Sequence, residues 1–208
     1  MNPHPEPLMR LISALLLAAA TPLAALAPLS AVQAQTAADP AAQAFIETLA
    51  NDAFATLRDP KLSEADRTAR FRTLLKQNVA LDAIGNRLIR RQRADITDAQ
   101  YMAYQQAFPE FILNTYADRL TDYKDASLKT QRIVARGPYT EVHTRVTRPG
   151  GQPVDAIWQV RKGPSGQYQI NNLIVSNINL SITQEADFGN YIKTNGFDAF
   201  IGFLKSAN

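Results

Sequence analysis

Chemistry at a protein site needs groups that move protons, attack carbon or hold metal, and this 208-residue chain is poor in all three. It has no cysteine, which excludes thiol nucleophiles, thiolate metal sites and thiol-anchored lipidation. His143 is the single histidine beyond residue 34. The alternation around it sets it with Glu141 and Arg145 on a polar face, where a solvated side chain is expected, because a general base needs a partner within hydrogen-bond reach. Asp155 and Tyr139 could be imagined as an acid and base pair in a pocket, but the other parts of a catalytic constellation do not assemble around them. The chain contains no G-x-S-x-G, HExxH, Walker loop or dinucleotide fingerprint. Asn179-Leu180-Ser181 spells a glycosylation sequon, read as accidental because it falls in a link between a strand and a helix. The expectation is a protein that is not an enzyme and carries neither metal nor cofactor.

Two other groups of residues could act by binding. The run RLIRRQR (87–93) places Arg87, Arg90, Arg91 and Arg93 close together. It reads either as a solvated helix end whose cations complement the helix dipole, or as a surface that meets anionic lipid headgroups or an acidic partner protein. The large apolar residues, from Phe45 to the phenylalanines near the C-terminus, either fill a core or line a cavity. Periodicity alone favours a filled core, since pockets are few per protein. The net charge of +3 is far from the basic footprint of a nucleic-acid binder, so no nucleic acid is expected as partner.

The elements that must position these residues change period partway along. Asp39-Pro40 is a helix start, with Pro in the first helical position. Phe45, Ile46, Leu49, Ala53, Phe54 and Leu57 then make an apolar stripe. Ser63 with Asp66 resembles a capping box ahead of Phe71, Leu74 and Leu75, and Leu81, Ile84 and Leu88 mark a short third helix. Thr97 with Gln100 opens a fourth helix expected to run to about Tyr123 and to kink at Pro109. Strands are then expected over 128–136, 139–148, 154–162 and 168–178, separated by Gly- and Pro-rich turns, which favours an antiparallel meander. Ser181 or Thr183 is the expected cap of the next helix, and Gly196 its end. Phe197, Phe200, Ile201 and Leu204 give the closing helix one apolar face. The fold class expected is α+β: N-terminal helices on one face of a four-stranded antiparallel meander, closed by a C-terminal helical segment.

The first thirty-four residues read as a cleaved secretory leader. Met9-Arg10 is followed by an apolar, alanine-rich stretch, and Val32 and Ala34 suit the positions before a signal-peptidase cut. Residues 35–208 are then expected to form a single domain of a size that can bury a substantial core.

The C-terminal segment YQINNLIVSNINLSITQEADFGNYIKTNGFDAFIGFLK (168–205) resembles the MlaC-like family of periplasmic phospholipid-shuttle proteins, also called the toluene-tolerance auxiliary family. LDAIGNRLIRR (81–91) and QAFPEFILNTYADRLTDY (106–123) are similar to that family as well. The chain departs from the family where Asn177, Ile178 and Asn179 replace a Gly-Val-Ser type step and where Glu185 stands in place of Arg or Lys. Thr183-Gln184 followed by Asp187 and Phe188 resembles a branch with hopanoid-associated members. The resemblance implies a lipid-binding domain in the periplasm of a Gram-negative bacterium, with an apolar cavity between sheet and helices. The residues it points to as cavity wall are Phe45 and Leu49 from the first helix, Ile84 and Leu88 from the third, and Phe108, Phe111, Ile112 and Tyr116 from the fourth. Val142, Trp158, Val160 and Ile170 would face them from the sheet. The implied cargo is a phospholipid, with a hopanoid or other lipid as the alternative and an enzyme on a cone-shaped α+β fold as a more distant one. The implied partners are an outer-membrane lipoprotein complex and an inner-membrane ABC transporter with an MCE-type subunit, acting together to maintain outer-membrane lipid asymmetry. Exposing two long acyl chains to water costs on the order of 20 kcal/mol at about 0.8 kcal/mol per methylene. A carrier of this kind must therefore exchange its cargo while docked.

Overall fold

The change from helical to alternating period becomes, in the computed structural model, a change from helices to strands at Ser127. The structure describes residues 37–117 and 123–206, so the leader expected over residues 1–34 lies outside the described residues. Four helices come first: α1 (Pro40–Arg58), α2 (Glu64–Asn78), α3 (Leu81–Leu88) and α4 (Asp98–Ala117). The strands are β1 (Ser127–Arg136), β2 (Tyr139–Thr147), β3 (Val154–Lys162), β4 (Tyr168–Val175) and β5 (Ile178–Asn179), followed by α5 (Leu180–Asn195) and α6 (Phe197–Ser206). Helix α4 is described to Ala117 and runs through Pro109; its expected continuation to Tyr123 falls on residues 118–122, outside the described residues. The described residues form one compact unit.

Short polar side chains start the helices by taking up orphan N–H groups. The Asp39 carboxylate accepts from the Ala41 N–H at 3.0 Å, Ser63 Oγ from Asp66 at 3.1 Å, and Thr97 Oγ1 from Gln100 at 3.2 Å. Helix α5 departs from expectation: its cap is Asn179, not Ser181 or Thr183, and it accepts from the Ile182 N–H at 3.2 Å. The reason is that β5 leads straight into α5, while the Ser181 hydroxyl donates to Asn172 Oδ1 at 2.7 Å. Gly196 ends α5 at φ 84° and ψ 164°, a combination open essentially to glycine alone.

The sheet is an antiparallel meander in chain order, with five strands where four were expected. The extra strand arises because Ser176 and Asn177 both take positive φ, 49° and 67°, as a tight two-residue hairpin requires. That turn folds Ile178 and Asn179 back beside Val175 and Ile174. Two bulges bend the sheet. In β1 the pairing steps from Thr130↔Thr144 to Arg132↔His143, leaving Gln131 extra; in β4 it steps from Ile170↔Val160 to Asn172↔Gln159, leaving Asn171 extra. The second bulge reverses the alternation, so Ile170 and Leu173, three apart in sequence, both face the helices.

Two packed clusters fix the helices. Under the first half of α1, Ala42 and Ile46 meet Val142, Val160 and Ile170, with Phe45 and Tyr168 against them. The second cluster joins α3, α4, α5 and α6 through Tyr104, Phe108, Phe111, Phe188 and Phe200. Phe188 and Phe200 lie edge to face with ring centroids 4.6 Å apart.

His143 does not stand in solvent as expected. Its side chain is 13% exposed and its Nε2 has no hydrogen-bond partner, the nearest carboxylate oxygen being Glu141 Oε2 at 3.6 Å. Its direct neighbours across the sheet are Arg132 and Ile157. Burial first, and the positive charge of Arg132 second, hold its pKa below the ordinary histidine value.

Two outcomes follow from this packing. A Cβ on Gly85 would sit 2.7 Å from Cδ1 of Phe108, a ring only 1% exposed. Gly85→Ala should therefore lower the stability by about 1–3 kcal/mol through overpacking, read as a lower urea midpoint at unchanged slope. An unchanged midpoint would contradict the close approach of α3 and α4. For His143, the depressed folded-state pKa means that the unfolded chain binds the proton more readily. Stability should thus be unaffected well above about pH 6.5, fall as pH drops through that value, and be fully reduced below the folded-state pKa. His143→Gln should flatten this step in urea titrations across about pH 7.5 to 5. Parallel curves for parent and variant would remove His143 as its source.

Candidate functional site: an apolar cavity at one end of the sheet

The first half of α1 is packed onto the sheet, but from Leu49 onward the two separate. The stripe of α1 turns there to Ala50 and Ala53, side chains too short to reach the sheet. The space between is a cavity of about 480 Å³, within the range of roughly 300–1,000 Å³ typical of small-molecule sites. Phe71, Leu74 and Leu75 of α2 and Leu81 and Ile84 of α3 roof it. Its floor is Leu128 of β1, Val146 of β2, Ala156 and Trp158 of β3, and Leu173 and Val175 of β4. These sheet residues cluster toward the end where β1 begins, β2 turns into β3 and β4 turns into β5. The opposite end is stopped by the Val142–Val160 cluster.

Asn172, Ser181 and Trp158, three of the polar-bearing side chains in the wall, are engaged within the protein. Asn172 Nδ2 donates to Gln159 at 3.2 Å and to Asn179 at 3.1 Å, and its Oδ1 accepts from Ser181. The Trp158 Nε1–H donates to Thr144 Oγ1 at 2.9 Å, so the indole adds carbon surface to the floor without an unpaired donor. The described residues of this wall are mostly apolar, a surface that can replace water around hydrocarbon.

Of the wall residues expected from the sequence, Leu49, Ile84, Leu88, Ile112, Tyr116, Trp158 and Ile170 line this cavity. Phe45, Val142 and Val160 instead belong to the cluster that closes it, Phe45 lying 5.9 Å from the Tyr168 ring. Phe108 and Phe111 point to α5 and α6, with ring centroids 6.3 and 5.9 Å from Phe188. Helix α4 buries two faces, and an apolar pattern marks both without saying what each one meets. The α2 residues and the Ala50–Ala53 pair were not singled out for the site, and only the shortness of those two alanines signals them.

Arg87 is not a surface group. It is half-buried, its Nη2 donating to the Asn171 carbonyl at 2.6 Å and to Ser181 Oγ at 2.9 Å, and burial lowers its pKa. It clamps the β4 bulge to the start of α5. Arg90 and Arg91 are exposed and reach Glu185 at 3.4 and 3.2 Å. Arg93 pairs with Asp98 at 3.0 Å and lies over the Tyr101 ring, 4.3 Å from its centroid. The imagined pair of Asp155 and Tyr139 is not a pair. Asp155 takes a forked bond from Arg145, at 2.7 and 2.9 Å, whereas Tyr139, at the far end of β2, lies under Arg161. Among the described residues no His, Asp and Glu side chains gather into a metal site.

This architecture has a counterpart among solved structures. A phospholipid-binding protein from Ralstonia solanacearum, solved in complex with a phospholipid, shares the fold with a TM-score of 0.66 at 24% identity, over 80% of this chain and 96% of that one. The sequence profile of the MlaC protein family matches residues 47–206, which take in nearly all of the described helices and the whole sheet. The chain belongs to the MlaC family.

Proposed function

We propose that this protein is a periplasmic lipid carrier that holds the acyl chains of a phospholipid in the cavity and exchanges them at membrane-bound partners. The observation that carries this reading is the wall itself, whose described residues are mostly apolar and in which Asn172 and Ser181 bond to each other and to neighbours within the protein. Family membership and the phospholipid held by the R. solanacearum protein support the same reading. In it, residues 1–34 direct export from the cytoplasm of a Gram-negative cell and are removed. Among the described residues, no helix is long and apolar enough to cross a membrane. The carrier would then move lipid between an outer-membrane lipoprotein complex and an inner-membrane ABC transporter with an MCE-type subunit, supporting outer-membrane lipid asymmetry. Transfer free energy requires such partners, since tails released into water would cost on the order of 20 kcal/mol. The protein performs no covalent chemistry in this scheme, and the partners supply direction.

Mass spectrometry of the purified protein under native and then denaturing conditions tests the proposal. A phospholipid-sized adduct lost on denaturation is expected; protein free of lipid, and unable to take it up from vesicles, would overturn the carrier reading, and a hopanoid adduct would change the cargo. Ala53→Trp locates the site. An indole in the cavity occupies the space of a tail while adding apolar contact, so the melting temperature should hold or rise and lipid occupancy should fall several-fold. Full occupancy in that variant would place the lipid elsewhere.

A further inference from the structure

A polar recess lies at the same end of the sheet as the cavity, where β1 begins and β2 turns into β3. It is framed by Glu64 and Arg67 at the start of α2, Lys124 and Asp125 ahead of β1, and Arg148 at the turn between β2 and β3. Each cation lies close in the chain to a residue of the cavity wall. Arg67 precedes Phe71 by one helical turn, Lys124 follows Tyr123, and Arg148 lies two residues beyond Val146. Tyr123 connects the two: its ring lines the cavity, and the guanidinium of Arg148, a residue of the recess, lies 5.2 Å from the ring centroid.

The recess is held in shape. Arg58 donates to the carbonyls of Lys124 and Ala126, both at 2.7 Å, which fixes the backbone that presents Lys124. Arg67 donates Nε and Nη2 to the Asp59 carbonyl at 3.3 and 3.1 Å, which sets the plane of its guanidinium. Among the described residues, neither Lys124 nor Arg148 has a carboxylate partner. The cations of the 87–93 run are engaged, Arg87 by the Asn171 carbonyl and Ser181 hydroxyl, and Arg90, Arg91 and Arg93 by Glu185 or Asp98. Among the described residues that frame it, three cations stand against two carboxylates, a balance that suits an anionic group such as a phosphodiester.

We infer that this recess is the phosphate subsite of the carrier, with Lys124 and Arg148 holding the phosphodiester of a glycerophospholipid while its tails lie beyond Tyr123. The inference rests on the lipid-carrier reading above and adds to it the group that selects the cargo. Because the recess is open to water, its effect is on choice among lipids more than on retention of the tails.

Competitive loading tests it. Lipid-free protein is incubated with vesicles containing equal amounts of a phosphatidylethanolamine and the diacylglycerol with the same tails, and native mass spectrometry reads the ratio taken up. Docking to the vesicle surface is common to both lipids and cancels from that ratio. The parent protein should favour the phospholipid about tenfold, Lys124→Gln/Arg148→Gln should bring the ratio close to one, and Arg148→Lys alone should keep part of the preference. Raising salt from about 0.05 to 0.5 M should lower the parent's ratio without any substitution, which keeps the test valid if the double variant misfolds. A parent that takes up both lipids equally, or a ratio indifferent to both the variant and salt, overturns the phosphate subsite and leaves the carrier standing. A parent that takes up neither overturns both.

Discussion

Holding an apolar cavity open between helices and sheet is the constraint on which the rest of this structure depends. Protein interiors are close-packed, and a hydrocarbon-lined gap forfeits the contacts that its walls would otherwise make. The walls must therefore be braced from outside the gap. The braces are the two packed clusters, one pinning the first half of α1 to the sheet and the other locking α3 to α6 through stacked and edge-on aromatic rings. Between them, helix α2 and the second half of α1 span the space with short or apolar side chains.

Backbone irregularities do the rest of the shaping. The bulge at Asn171 turns both Ile170 and Leu173 toward the helices and leaves a carbonyl that Arg87 occupies. Val79 bridges to Ile170, and the Ala80 N–H donates to the Ile170 carbonyl at 2.9 Å, so the α2–α3 link is strapped to the same place. Arg87, Asn171, Asn172 and Ser181 thus form one polar seam along the margin of an apolar site. Its hydrogen bonds hold the geometry of that margin. Arg58 fastens the other side, where α1 ends against the entry to β1. Catalysis would ask the opposite of such a seam, with polar groups left poised toward the interior.

Much of the fold was legible in the sequence. Capping residues, Gly- and Pro-rich turns and the change of period located the helices and the four main strands, because these signals are local. The fifth strand was not legible, since Ser176 and Asn177 are not the residues that usually announce a two-residue hairpin. His143 was misread because alternation assigns a face but not how far its cross-strand neighbours bury it. The site was legible only in part for the same reason. Phe108 and Ile112 stand on one helix with similar apolar character, yet one packs against α5 and the other faces the cavity. Arg87 reads as one more cation in a basic run until the β4 bulge brings a carbonyl to it. These distinctions depend on contacts between segments far apart in the chain, and no local pattern encodes them.

Trp158, the only tryptophan in the chain, stands in the cavity floor and makes the central claim directly measurable. Loading the protein with a phospholipid brominated along its acyl chains should strongly quench Trp158 emission, because the heavy atoms would lie against the indole. The same lipid without bromine should leave it bright. Unquenched emission from protein that carries the brominated lipid, with occupancy confirmed by mass, would contradict the account by placing the tails outside the cavity.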